Sequence, residues 1–310
     1  MKRYYYGIDV GGMSVKGGII NEFGEVVYKT VSPIEKNSAL VSIDNVVSAL
    51  RKYAAEKNLP FNSAGIGVPC IFNKKTGVVS YGNNLDFKGV NLRKYFSEKF
   101  NLKLTIANDA DAALVGEYYF GAGKGYNNVA LITIGTGIGG AFIHNGKLLT
   151  SETSCFGEIG HTVIMLGGKK CACGQNGCME AYCSMPALYG QIRRAMFKNK
   201  KSLLWEKINI NDIDGKTFFA YIEKDETAKK VYRQYIEYLG TGIVNVANVF
   251  RPEIILLGGG VSAQKERLIL PLKEYLNEHL FAKEYTDEIE IAIATNGNDA
   301  GIIGAAALTI

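Results

Sequence analysis

Five of the six cysteines fall between positions 155 and 183, and three of them stand in the run Cys171-Ala-Cys173-Gly-Gln-Asn-Gly-Cys178, ten residues after His161. Two thiolates one residue apart can grip a single ion. Glycines at 174 and 177 let the backbone turn tightly enough to bring in a third. His161 then completes a tetrahedral Cys3His shell, the closed donor set of a structural zinc site. In a long chain without a secretory leader this clustering favours metal over a disulfide framework. The competing reading is a group of reduced structural thiols. Cys183 is spare, expected on a following helix as a small buried apolar side chain.

Glycine pairs and carboxylates form the second chemical pattern. Gly11-Gly12, Gly135-Thr136-Gly137 with Gly139-Gly140, and Gly258-Gly259-Gly260 each follow an apolar run. Glycine in such a turn lets backbone N–H groups close around an anion, so three turns together indicate phosphate binding. No GxxxxGK[ST] phosphate loop is present. Gly135, Gly137 and Gly140 satisfy GxGxxG, but strand and hairpin follow where a dinucleotide fold requires a helix. Asn108-Asp109 stands at the end of an apolar run, Glu158 leads to His161, and Glu180 lies two residues past Cys178. Any one of these could be a solvated or capping side chain. As a set attached to a metal loop, the carboxylates and amide suit sugar hydroxyls.

The elements that must position these residues follow from periodicity. Residues 4–10, 15–20 and 25–30 read as strands joined by turns at Gly11-Gly12 and 21–24. Apolar positions 43, 46, 47, 50, 53 and 54 carry helical spacing. A strand at 64–68 ends at Pro69, a short helix surrounds Leu92 to Phe96, and a strand at 104–107 delivers Asn108 and Asp109 to a helix at 110–119. The pattern then restarts with strands at 129–134, 140–143 and 147–150. A long helix over 226–250 stops at Arg251-Pro252. Strands at 253–257 and 289–294 follow, and Asp299 is placed to cap a closing helix over 300–308. The repeated strand–turn–strand–turn–strand unit predicts an α/β protein of two related lobes facing each other across a cleft. The expected division is residues 1–111, completed by 299–310, and 112–298, with a zinc-binding insert at 155–183.

Composition narrows the class. With 310 residues, 47% hydrophobic and 21% charged, the chain can bury a full core and is not wholly disordered. No apolar run approaches the ~18 residues that span a bilayer. The stretch after Met1-Lys2-Arg3 is too short for a signal peptide, so a cytoplasmic protein is expected. A net charge of +5 is small for this length, and the cluster Lys198, Lys200, Lys201 reads as solvated surface. Neither nucleic acid nor membrane is implied as a partner.

Taken in order, Asp9-Val-Gly-Gly12, Ile134-Gly-Thr-Gly137-Ile-Gly-Gly140, Gly157-Glu-Ile-Gly-His161, Cys171 to Glu180 and Leu257-Gly-Gly-Gly260 resemble the ROK family of sugar kinases and repressors over essentially the whole chain. Within that family the chain is most similar to bacterial glucokinases. The resemblance implies an actin-like ATPase fold with two RNase H-like lobes, and ATP-dependent phosphorylation of a hexose. By position it implies Asp109 as general base and Asn108 as a sugar contact. Glu158, His161 and Glu180 would hold ring hydroxyls, with Asn83 adding a further contact. Asp9, through Mg2+ or water, would join Gly11, Gly12, Thr136 and Gly137 around the ATP phosphates, with Gly258, Gly259 and Gly260 near the adenosine. Zinc would sit on His161, Cys171, Cys173 and Cys178. The expected partners are the hexose, ATP and a second copy of the chain as a homodimer.

Glucose is the first expected sugar; fructose, N-acetylmannosamine, N-acetylglucosamine and allose are alternatives. A non-catalytic sugar-sensing protein is another alternative. Repressors of the family carry a helix-turn-helix domain before the first strand, and here that strand is expected at about Tyr4. Two departures stand out. Met13 replaces the usual threonine after the paired glycines, with Ser14 next, and Cys70 follows Pro69 where glycine is frequent. Cys70 is expected to narrow the sugar side of the cleft.

Overall fold

Tyr4–Val10 (β1), Ser14–Asn21 (β2) and Val26–Pro33 (β3) pair as an antiparallel meander, with β1 and β2 largely buried and β3, at the sheet edge, alternating along most of its length between half-buried and exposed residues. In the computed structural model, which describes residues 3–34, 38–82 and 85–310, it opens the first of two five-stranded sheets. Ser38 caps α1 (Ala39–Glu56), its hydroxyl accepting from Val41 N at 3.4 Å. The next elements are β4 (Ser63–Val68), β5 (Cys70–Phe72), β6 (Val79–Gly82), α2 (Leu92–Phe100), β7 (Lys103–Asn108) and α3 (Asp109–Phe120). The first sheet runs β3-β2-β1-β4-β7, with β1–β4 and β4–β7 parallel. β5 and β6 form a separate hairpin.

The unit then repeats as β8 (Val129–Ile134), β9 (Ile138–His144) and β10 (Lys147–Leu148). Helices α4 (Glu180–Cys183), α5 (Met185–Lys198), α6 (Leu204–Lys207), α7 (Gly215–Ala220) and α8 (Glu226–Phe250) follow. The chain closes with β11 (Ile254–Gly258), α9 (Glu266–His279), β12 (Glu290–Ile293) and α10 (Ala300–Ala307). The second sheet runs β10-β9-β8-β11-β12, the same pattern as the first. This is the doubling that the repeated turns predicted. By its contacts the chain divides into residues 1–129, 141–157 and 294–310 as one unit, and 130–140 with 158–293 as the other. The expected boundary at Asp111 falls inside α3.

Two local features differ from expectation. The expected strand at 147–150 is only two residues long. Asp299 occupies the cap position of α10 but makes no side-chain cap bond; its carboxylate lies 3.3 Å from Lys29 Nζ instead. Helix α9 continues through Pro271. Proline has no N–H to donate to Arg267 four residues earlier, and the Tyr232 hydroxyl donates to that carbonyl instead.

Helix α10 lies directly on the first sheet because β1 and β4 carry glycine there. A Cβ on Gly7 would meet Ala306 N at 2.6 Å, and one on Gly65 would meet the backbone carbon of Ala305 at 2.8 Å. No helix among the described residues is long and apolar enough to cross a membrane.

Candidate functional site

In the first unit, two carboxylates stand at the carboxyl ends of the parallel strands β1 and β7, with β4 between them. Asp9 is half-buried, one residue before β1 ends at the buried Val10. Its cross-strand partner in the β1–β2 register is Lys16, whose Nζ lies 4.0 Å from Asp9 Oδ2. Burial pushes the Asp9 carboxyl above its ordinary range, against the smaller opposing pull of Lys16. The following turn is closed by Gly11 N–H donating to Ser14 O at 2.9 Å. Met13 projects from it 87% exposed. Behind Asp9 stands Gly301 in the first turn of α10, where a Cβ would come to 2.8 Å from Asp9 Oδ1.

Asn108 and Asp109 sit where β7 becomes α3. Asn108 is the helix cap; its Oδ1 accepts from Ala110 N at 2.9 Å, and Asp109 Oδ1 accepts from the same N–H at 2.9 Å. Asn108 thus starts the helix, while Asp109 is exposed in its first turn. Cys70 lies close by, 3% exposed, its thiol pushed up to about 12 by burial and then by the charge of Asp109. It is a neutral S–H beside the carboxylate at any physiological pH. Asn83, the remaining expected sugar contact of this unit, lies outside the described residues.

In the second unit the glycine turns and the cysteine loop are connected. The turn after β8 is closed by Gly135 N–H to Gly137 O at 3.0 Å, and Thr136 is exposed at its tip. Gly259, at φ +83°, lies against it: a Cβ there would meet Ile134 N at 2.8 Å. The turn at Gly258, Gly259 and Gly260 is thus adjacent to the turn after β8, as the neighbouring order of β8 and β11 requires. Glu180, first residue of α4, accepts from Ile138 N on Oε2 at 2.9 Å. Its Oε1 stands 4.0 Å from Cys171 Sγ. One carboxylate thereby joins the glycine turn after β8 to the cysteine cluster. Glu158 is exposed just before a single 3-10 turn, Ile159–His161, that carries His161.

The donor atoms of His161, Cys171, Cys173 and Cys178 all lie within 4.8 Å of one another, a group that can hold a metal ion. Cys173 and Cys178 sulfurs are 3.6 Å apart, and Cys171 Sγ is 3.8 Å from His161 Nδ1. A tetrahedron with metal–sulfur bonds of ~2.3 Å has edges of about 3.8 Å, so the spacing suits one ion. All six cysteines are free thiols. Gly174 and Gly177 take φ of +98° and +87°, the left-handed turns that wrap the loop around the four donors. Burial pushes the Cys178 thiol up to about 12, whereas hydrogen bonding, first from the Gln175 backbone, lowers that of Cys173. A bound cation would supply the charge that keeps all three as thiolates. Cys183 is completely buried on α4 as a small apolar side chain, and burial raises its thiol further.

Lys16 and Glu117 are polar residues of the first unit that motif reading did not single out. Lys16 follows from register alone, since a turn pairing Val10 with Val15 pairs Asp9 with Lys16.

The profile of the ROK family matches residues 5–310. The chain belongs to the ROK family. It is 34% identical to the glucokinase of Halalkalibacterium halodurans, over 97% of this chain and 93% of that protein. A solved ROK family glucokinase from Streptomyces griseus, in complex with glucose and AMPPNP, is 28% identical over 99% of both chains, with a TM-score of 0.80. The ROK likeness extends to regulators: the xylose repressor of Caldicellulosiruptor bescii is 28% identical over 98% of this chain and 77% of its own length. The two similar sheets are the RNase H-like halves of the actin-like ATPase fold to which these ROK kinases belong.

Proposed function

We propose that this ROK protein transfers the γ-phosphoryl group of ATP to a hexose, with glucose as the sugar and its 6-hydroxyl as the acceptor. The observation that carries the reading is Glu180, bonded to the amide at one glycine turn and lying against the cysteine cluster. It couples a phosphate-binding backbone to a carboxylate suited to sugar hydroxyls. Asp109, exposed at the start of α3, is the general base that takes the proton of the attacking hydroxyl. Such a group contributes ~10²–10⁴ in rate. Asn108 gives its Oδ1 to the helix cap and offers its amide NH2 to the sugar. Glu158, His161, Glu180 and Asn83 are the remaining sugar contacts.

Gly11, Gly12, Thr136 and Gly137 surround the phosphates in this reading, and Gly258, Gly259 and Gly260 lie near the adenosine. Asp9 is the residue that would hold Mg2+, directly or through water, and the ion would neutralise phosphate charge. His161, Cys171, Cys173 and Cys178 would hold zinc, and the ion, bound by four protein donors, would stiffen the loop between Glu158 and Glu180. Little covalent chemistry is asked of the protein, since phosphoryl transfer depends on positioning and charge neutralisation. The test is ADP release with a panel of glucose, fructose, N-acetylmannosamine, N-acetylglucosamine and allose. Glucose is expected to give the highest kcat/KM. Turnover with none of them, together with retained sugar binding, would make the protein a sensor.

A further inference from the structure

Glu117 is 1% exposed, and neither the sugar nor the phosphate chemistry uses it. On α3, two turns after Asp109, its carboxylate accepts four hydrogen bonds. Oε2 takes Ala122 N at 2.9 Å, Thr295 N at 3.0 Å and Thr295 Oγ1 at 3.1 Å, and Oε1 takes Asn296 N at 2.7 Å. Three of the four donors belong to the segment between β12 and α10. That segment leads through a 3-10 turn, Gly297–Asp299, into the first turn of α10. There Gly301 lies so close to the Asp9 carboxylate that no side chain fits between them. The cap residue Asp299 makes no side-chain bond to α10, so it does not fix the helix start.

The geometry points to Glu117 as a positioning residue for the phosphate side of the reaction. It pins residues 295–296 to α3, and so sets where the start of α10 stands behind Asp9. One buried carboxylate thereby ties the helix that begins with Asp109 to the helix that backs Asp9. The inference rests on the proposed role of Asp9 at the ATP phosphates. Close packing of α3 on α10 is a separate constraint: a Cβ on Gly116 would meet Gly304 Cα at 2.9 Å. It restrains the middle of α10, whereas Glu117 restrains the approach to its first turn.

The test uses the full chain with two variants, Glu117→Gln and Thr295→Val. However the introduced side-chain amide of the first variant is turned, its NH2 group faces at least one backbone N–H, donor against donor. Thr295→Val removes only the hydroxyl bond and keeps the side-chain shape. Backbone hydrogen exchange over residues 294–301 and equilibrium affinities for MgATP and for glucose are measured well below each melting temperature. For Glu117→Gln we expect exchange in that segment and the Kd for MgATP each to rise about tenfold, with glucose affinity changed less than twofold. For Thr295→Val the same changes, up to about threefold, are expected. If Glu117→Gln does not fold, the valine variant decides. A purely structural role would lower the melting temperature and leave the nucleotide and sugar affinities unchanged, which would overturn the inference. Unchanged exchange over 294–301 would also overturn it. Because ATP affinity is read at equilibrium, a wild-type protein that phosphorylates no hexose would refute the kinase reading and leave this test decisive.

Discussion

Replacing Gly301 with alanine probes the position of Asp9 with little disturbance elsewhere. The added methyl would come to 2.8 Å from Asp9 Oδ1 and closer still to the rest of the carboxylate. The carboxylate is the end of a side chain, so it yields by rotating about its own bonds rather than by moving backbone. Two stability effects oppose each other. Alanine is better than glycine in a helix by about 0.8–1.0 kcal/mol. Crowding a packed site typically costs ~1–3 kcal/mol, with the low end fitting an obstacle that can swing away. The net change in stability is therefore expected within about 1 kcal/mol of zero. The kinetic effect is expected to be larger, because a displacement near 1 Å at a reacting centre can cost ~10²-fold. Steady-state kinetics should show kcat/KM for MgATP down about 10- to 100-fold, or ~1.4–2.7 kcal/mol of transition-state stabilisation, with glucose affinity nearly unchanged. Wild-type kcat/KM for MgATP in a folded Gly301→Ala protein would refute the placing of Asp9 in the phosphate site.

Three further outcomes follow from the same structure. Asp109→Ala should keep glucose binding by calorimetry while turnover falls ~10²–10⁴-fold; near wild-type turnover would remove Asp109 from the base role. Elemental analysis should find one zinc per chain, and Cys178→Ser or chelation should lower both the melting temperature and glucose affinity, since structural zinc contributes ~10–16 kcal/mol of apparent binding free energy in small domains. Full activity and an unchanged melting temperature without metal would contradict that. Asp9→Asn should be inactive yet more stable than wild type at neutral pH. Burial raises the Asp9 pKa above its unfolded value, so the ionised carboxylate costs stability as pH rises through that interval. The stability gain should vanish at pH below the ordinary carboxylate range, and an equal gain at all pH values would mean that burial of the charge is not its cause.

What could be read from the sequence was mostly local. The gathering of His161 with the three cysteines was legible because the cysteines lie within eight residues and the glycines that turn the loop lie among them. The doubled sheet was legible because each copy opens with the same strand–turn–strand pattern. The place of Asn108 and Asp109 at a strand-to-helix junction was legible because an apolar strand ends in two polar residues. The hairpin of β5 and β6 was not, since its strands are short and its register shifts between Ile71 and Phe72. Helix α9 was hidden by Pro271, whose missing bond is replaced by Tyr232, distant in sequence. Glu117 looked like an ordinary helical glutamate because three of its donors lie 178 or 179 residues further along the chain. Nothing in local periodicity reports a partner at that separation.

The most direct measurement is the identity of the product formed from glucose and MgATP, followed by phosphorus NMR alongside ADP release. The proposed chemistry predicts glucose 6-phosphate and ADP in equal amounts, with little inorganic phosphate when sugar is absent. ADP accompanied by inorganic phosphate at the same rate with or without sugar, or no phosphorylated sugar from any hexose in the panel, would contradict it.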